Sequence, residues 1–268
     1  MTERKESRSR WSFPSTSIVA AAPFALMAAF AWAGGWFDPS RLSGSELTDA
    51  LKDGPGTHPG FRSAHAKGLC FSGQFDANGA GVALSKASVF ARGSYPVVGR
   101  FSLGGGNPLA TDGRNVFRAM ALRIDMAGGQ EWRIAMDHTP IFPVATPAAF
   151  VELQRASRPD PSTGKPDPKA MDAYLARHPE TKAFQKYLKD APLPDSFANS
   201  GYHSINAFRF TDGKGQTRLV RWSMLPETPM VSLDKAKLDA LPINFLFDDI
   251  IMRLRSTPIR WRLAVTVA

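Results

Sequence analysis

Residues 117–136 read FRAMALRIDMAGGQEWRIAM. Two short apolar-rich runs, Phe117 to Met126 and Gln130 to Met136, flank Ala127-Gly128-Gly129. Each run has the length and Gly-bounded composition of a strand, and the small residues between them make a tight turn. Upstream, Lys67 to Phe75 and Pro96 to Leu103 read the same way. Downstream, Ile205 to Phe210 and Arg218 to Met224 flank Asp212-Gly213-Lys214-Gly215, a hairpin signal. The last run, Ile259 to Ala268, alternates and puts Ile259, Trp261, Leu263, Val265 and Val267 on one face. Between the two groups of strands lies a helical insertion. Thr146-Pro147 supplies an N-cap and a first-turn proline for a helix to about Ala156. A Pro/Asp/Gly loop from Arg158 to Pro168 leads into helices over Lys169 to Arg177 and Pro179 to Lys189. The expected class is α+β: an antiparallel sheet closed as a barrel, with helices inserted in its middle.

Ahead of the strands, residues Trp11 to Phe37 carry no charge and follow a basic start with Arg4, Lys5, Arg8 and Arg10. Ile18 to Phe37 approaches the length of a membrane-spanning helix, although Pro23 and Gly34-Gly35 interrupt it. The expectation is a cytoplasmic basic tail and membrane anchor over residues 1–37, with residues 38–268 as one domain on the extracytoplasmic side. A cleaved signal peptide ending near Ala31-Trp32-Ala33 is the alternative. Residues 38–60 read as a linker plus a short helix, with Ser43 and Glu46 as a capping box and Gly54-Pro55-Gly56 as its stop.

Composition is that of a globular chain, 43% hydrophobic and 21% charged, with a formal charge of +9. No long Lys/Arg run and no nucleic-acid motif follow residue 10, so nucleic acid is not expected as a partner. Cys70 is the single cysteine and reads as a small buried apolar residue. Gly104-Gly105-Gly106 reads as a turn, Asp248-Asp249 as a solvated face, and His178 before Pro179 as a helix boundary. His58, His138, His178 and His203 lack metal-ligand spacing.

Three polar segments enter or close strands. They are Arg62-Ser63-Ala64-His65-Ala66-Lys67-Gly68, Arg100-Phe101-Ser102, and Met136-Asp137-His138-Thr139-Pro140-Ile141-Phe142, with Phe150 following on a helix. The first resembles the catalase motif around the distal histidine. The second resembles the segment holding a haem-propionate arginine and a serine bonded to that histidine. The third resembles the segment ending Thr-Pro-Ile-Phe, and Gly201-Tyr202-His203-Ser204 a later element. The chain is most similar to the small catalase-related haem peroxidases, through His58-Pro59-Gly60-Phe61, Thr163-Gly164-Lys165-Pro166-Asp167-Pro168, Asn206-Ala207-Phe208-Arg209-Phe210 and Arg221-Trp222-Ser223-Met224. The resemblance runs from about Gly35 to Ala268.

That resemblance implies a catalase-like barrel, haem (heme) as cofactor, and hydrogen peroxide and a small organic electron donor as substrates. It implies catalytic roles for His65, Ser102 and Asp137, and cofactor binding by Arg62, Ala64, Arg100, Phe142 and Phe150. The chemistry suits these types: guanidinium groups answer anionic propionates, and a neutral imidazole takes a proton from one peroxide oxygen and returns it to the other. Two departures stand out. Asp137 occupies the place of an asparagine, and an ionised carboxylate cannot donate a hydrogen bond. None of Tyr95, Tyr174, Tyr187 and Tyr202 has the context of the iron-ligating tyrosine, so that ligand is expected beyond Ala268 and the chain is expected to be truncated. The alternatives are a non-catalytic barrel that binds a small ligand and an inactive remnant of the peroxidase.

Overall fold

A computed structural model describes residues 13–38, 41–54, 56–114 and 117–268. The chain divides into two compact units, Met1–Gly44 and Ser45–Ala268. In the first, α1 (Phe13–Ala33) contains Pro23. Among the described residues no helix is long and apolar enough to cross a membrane. The transmembrane helix expected here is corrected accordingly: Pro23 interrupts α1, and Gly34-Gly35 follow its end. The basic residues expected to orient it lie outside the described residues.

α2 (Gly44–Asp53) starts at the last residue of the first unit, continues as the opening of the second, and stops near Gly54 as its sequence requires. The strands are β1 (Gly68–Ala77), β2 (Gly93–Leu103), β3 (Arg118–Asp125), β4 (Glu131–Asp137), β5 (Tyr202–His203), β6 (Phe208–Thr211), β7 (Thr217–Pro226) and β8 (Trp261–Val267). They form one antiparallel sheet in the order β1-β2-β3-β4-β5-β7-β6, with β8 also on β7. The result is a half-barrel, since β1 and β8 are not paired with each other among the described residues. Their unjoined edges border an apolar cleft of about 770 Å³ lined by Phe71, Phe101, Met120, Trp261 and Leu263.

The inserted helices are α3 (Pro147–Ala156), α4 (Pro168–Arg177) and α5 (Pro179–Asp190). Thr146 caps α3 by accepting from Ala149 N at 3.2 Å, and Asp167 caps α4 by accepting from Lys169 N at 2.9 Å. His178 ends α4 and begins α5, as a residue before proline should.

Two further helices, α6 (Lys235–Ala240) and α7 (Phe245–Ser256), were not anticipated from the sequence. α7 buries Phe245, Leu246, Phe247 and Ile250 in the sheet's core cluster. It also corrects the reading of Asp248-Asp249. Asp248 is exposed, but Asp249 accepts from Ser196 Oγ and from Arg253 Nε at 2.8 Å. Cys70 is corrected too: strand alternation turns it away from the core and leaves it exposed, opposite Arg100.

Candidate active site

The segment before β1 places His65 in a tight bend with φ 55°, a left-handed conformation otherwise taken only by glycines among the described residues. Such a backbone costs a non-glycine residue on the order of 1–3 kcal/mol and persists only where its surroundings over-determine it. Here they do. Arg100 Nη2 donates to His65 O at 2.9 Å and to Ala66 O at 3.3 Å. Ala66 N donates to Gly105 O at 3.0 Å. Two residues on, Lys67 Nζ donates to Asp112 Oδ1 at 2.6 Å, Ala110 O at 2.8 Å and Ile243 O at 3.0 Å. Asp112 is fully buried, and its second oxygen accepts from Leu246 N at 2.9 Å, which ties the bend to the start of α7.

Held this way, His65 presents Nδ1 to Ser102 Oγ at 3.1 Å. Burial, then the charges of Arg100 and Arg62, pull the imidazole below its ordinary pKa. It is therefore neutral near pH 7 and able to accept a proton. Arg100 is itself pulled down by burial and by Arg62, two like charges facing one region. Gly68 makes room for this: a Cβ there would lie 2.3 Å from the Arg100 guanidinium carbon. Ala64 is half-buried in the same bend, and Arg62 is exposed at its start.

Cross-strand register extends the site. Gly68 pairs with Ser102, Ser102 with Ala119, and Ala119 with Asp137. Paired residues share a face, so Asp137 lies on the same face as Ser102, two strands away. Burial pushes Asp137 up to about 6. The next row holds Arg100, Ala121 and Ala135, so alanines floor the space between the arginine and the carboxyl. Arg221 holds the Thr139-Pro140 turn by donating to Pro140 O at 2.6 Å and, through Nε, to Ser204 O at 2.9 Å. Beyond that turn Phe142 stacks on Phe150 with centroids 6.1 Å apart. The structure thus joins His65, Ser102 and Arg100 by direct bonds and brings in Arg62 through charge. It sets Asp137 on the shared face and pairs the two phenylalanines with each other.

The residues fit the distal side of a haem. Two arginines have no carboxylate partner among the described residues, an imidazole is locked by a serine, and small side chains leave a flat floor. On the iron-ligand side, three tyrosine hydroxyls are engaged elsewhere. Tyr95 and Tyr202 donate to backbone carbonyls, and Tyr174 bonds to Thr181 and Ala149 O. Sequence reasoning passed over Lys67, although it stands inside the quoted motif, and it gave no role to Asp112, His203 or Ser223. A basic residue directly before a strand, two residues after the proposed acid–base, was the available signal for Lys67.

Comparison with known families matches residues 58–267 to the catalase family. The chain belongs to the catalase family. It is 36% identical over 260 residues to the catalase-related peroxidase of Synechococcus elongatus, which covers 97% of this chain and 76% of that protein. It is 30% identical to the catalase-related peroxidase of Mycolicibacterium paratuberculosis, across 85% of this chain and 72% of the other. Both relatives carry the name of an oxidoreductase, the class expected from the sequence. Among solved structures, a bacterial catalase superposes with a TM-score of 0.69 at 19% identity, covering 77% of this chain and 41% of its own. A fungal catalase superposes at 0.68 and 14% identity, over 100% and 49%. These likenesses show the fold, and the chain spans less than half of either solved catalase.

Proposed function

We propose that the protein is a haem-dependent peroxidase that reduces hydrogen peroxide to water with electrons from a small organic donor, with disproportionation of peroxide as a minor activity. The observation that carries this reading is the His65–Ser102 couple at 3.1 Å, built on a left-handed residue that Arg100 holds from behind. Bound haem would supply the redox chemistry. The chain's own residues would do the rest. Arg62 and Arg100 bind the propionates through charge-assisted hydrogen bonds. His65 takes the proton from one peroxide oxygen and returns it to the other, which leaves as water. Ser102 fixes the ring, and Phe142 and Phe150 keep water from the pocket. Below about pH 6 Asp137 is protonated and donates toward peroxide; above it the carboxylate only accepts.

The test is reconstitution of the full chain with haem. Expected are a saturable 1:1 visible spectrum and peroxide-dependent oxidation of an aromatic donor. A titration with no saturable spectral change would overturn the reading in favour of a barrel that binds another small ligand, for which the apolar cleft between β1 and β8 is the candidate.

We also propose that the uncharged stretch behind the basic amino terminus directs residues 38–268 out of the cytoplasm. A carboxyl-terminal reporter active only in the periplasm should then be active, and one active only in the cytoplasm silent. The reverse pattern would sink this.

A further inference from the structure

The cross-sheet row that contains Ser102 and Asp137 does not stop at β4. Asp137 pairs with His203 on β5, and His203 pairs with Ser223 on β7. His203 Nδ1 lies 2.8 Å from Ser223 Oγ, just as His65 Nδ1 lies 3.1 Å from Ser102 Oγ. The face therefore carries two histidine–serine couples with one carboxyl between them. Directly opposed residues of an antiparallel pair have Cβ atoms about 4.5–5.5 Å apart, so Asp137 and His203, which make no direct hydrogen bond with each other, are close enough for one water to bridge them. Both Asp137 and His203 are half-buried.

The surroundings match the pair. Burial raises the Asp137 carboxyl to about 6, while burial and then Arg221 lower the His203 imidazole. Arg221, on β7, is committed to Ser204 O and Pro140 O and so is not available to the carboxyl. His138, next to Asp137, accepts from Arg118 N through Nδ1 and is held down to about 4 by burial, Arg118 and His203. The Lys67 cation is spent on Asp112. Among the described residues no donor reaches the Asp137 carboxyl, which leaves His203 as its cross-strand neighbour with a free ring nitrogen.

We propose that His203 is a proton-relay residue for Asp137, held in register by Ser223, so that Asp137 exchanges its proton with solvent independently of His65. The step balances without electrons. The carboxyl O–H bond breaks as its proton passes to a bridging water, which gives one of its own protons to His203 Nε2; the imidazolium then passes a proton to solvent, and the reverse sequence reprotonates Asp137. His203 acts through Asp137, which makes it a positioning residue. The proposal rests on the peroxidase reading only for its use, not for the coupling itself.

The first measurement needs no haem. The His203 ring is titrated by ¹⁵N NMR in the full chain and in Asp137→Asn. A nearby ionisable carboxyl stabilises imidazolium, so the His203 midpoint should fall by about half a pH unit or more when the carboxyl is replaced. An unmoved midpoint overturns the relay. The second uses haem-loaded protein. His203→Gln should shift the pH profile of peroxide consumption and raise its solvent isotope effect, with Ser223→Ala between it and wild type. A profile superimposable on wild type overturns the relay. If the NMR coupling is present but Asp137→Asn consumes peroxide as wild type does at every pH, the proton pair stands and the placement of Asp137 beside peroxide is what fails.

Discussion

The inner and outer faces of the same strands are built on opposite plans. Inward, Phe101, Met120, Ile134 and Trp222 are buried, and Phe101 stacks on Phe71 with centroids 4.5 Å apart. Outward, one residue along each strand, stand Ser102, Ala119 and Asp137, then His203 and Ser223. Each face has a glycine that makes its arrangement possible. A Cβ on Gly99 would lie 2.2 Å from the Phe71 ring, and one on Gly68 would lie 2.3 Å from the Arg100 guanidinium. The difference teaches that stability and chemistry are separated by the two-residue period of a strand. The inner face carries the hydrophobic stabilisation, which frees the outer face to hold titratable groups and a strained bend that contribute little to it.

If that separation is real, Phe101→Ala should cost about 3–5 kcal/mol in denaturant unfolding, the usual loss for a buried aromatic. The His65 ring titration in the remaining folded protein should be unchanged. A loss under about 1 kcal/mol, or a moved His65 midpoint, would mean that the faces are not independent. On the other face, His65→Gly should slow peroxide consumption by roughly a hundredfold. Its stability should change by less than about 1 kcal/mol, because relief of the left-handed backbone offsets the lost Ser102 bond and the glycine entropy. A large fall in stability would make His65 a structural residue.

The smallest expected effect sharpens the comparison through pH. The folded-state pKa of Asp137 is raised to about 6 by burial, above its ordinary 3.8. Ionisation is thus resisted by the fold, and the penalty develops as pH rises from about 4 and is complete above about 6. Asp137→Asn should therefore be more stable than wild type at pH 8 by on the order of 1–3 kcal/mol, with the difference gone near pH 4. Its peroxide rate should also be flatter across pH 6 and faster above it. Identical pH dependence of stability for the two proteins would mean that Asp137 is hydrated and no part of the buried floor.

Much of this was legible beforehand. Thr146-Pro147 and Asp167-Pro168 announce their helices through local hydrogen bonds that need no other part of the chain. The strands of residues 117–136 form within a residue or two of where their Gly-bounded apolar runs put them. β5 was missed because two residues carry no period. α7 was missed because its apolar residues Phe245, Leu246, Phe247, Ile250 and Ile251 fall in blocks, with Ile251, Met252 and Leu254 left exposed. Cys70 was misread because its burial depends on which face of β1 meets the core, and composition does not say.

By itself the sequence determined what acts locally: where the longer strands and the inserted helices begin, which residues of the last strand alternate, and that an arginine, a histidine and a lysine crowd the entry to β1. The tertiary structure alone decided which of them meet. Asp137 faces His203 across 66 positions and Lys67 reaches Asp112 and Ile243 across 45 and 176, because pairing register and the packing of α7 bring them together. Register is a property of two strands at once. A shift of one residue would turn Asp137 into the core and Met136 out of it, and only the burial of the whole inner face forbids that shift.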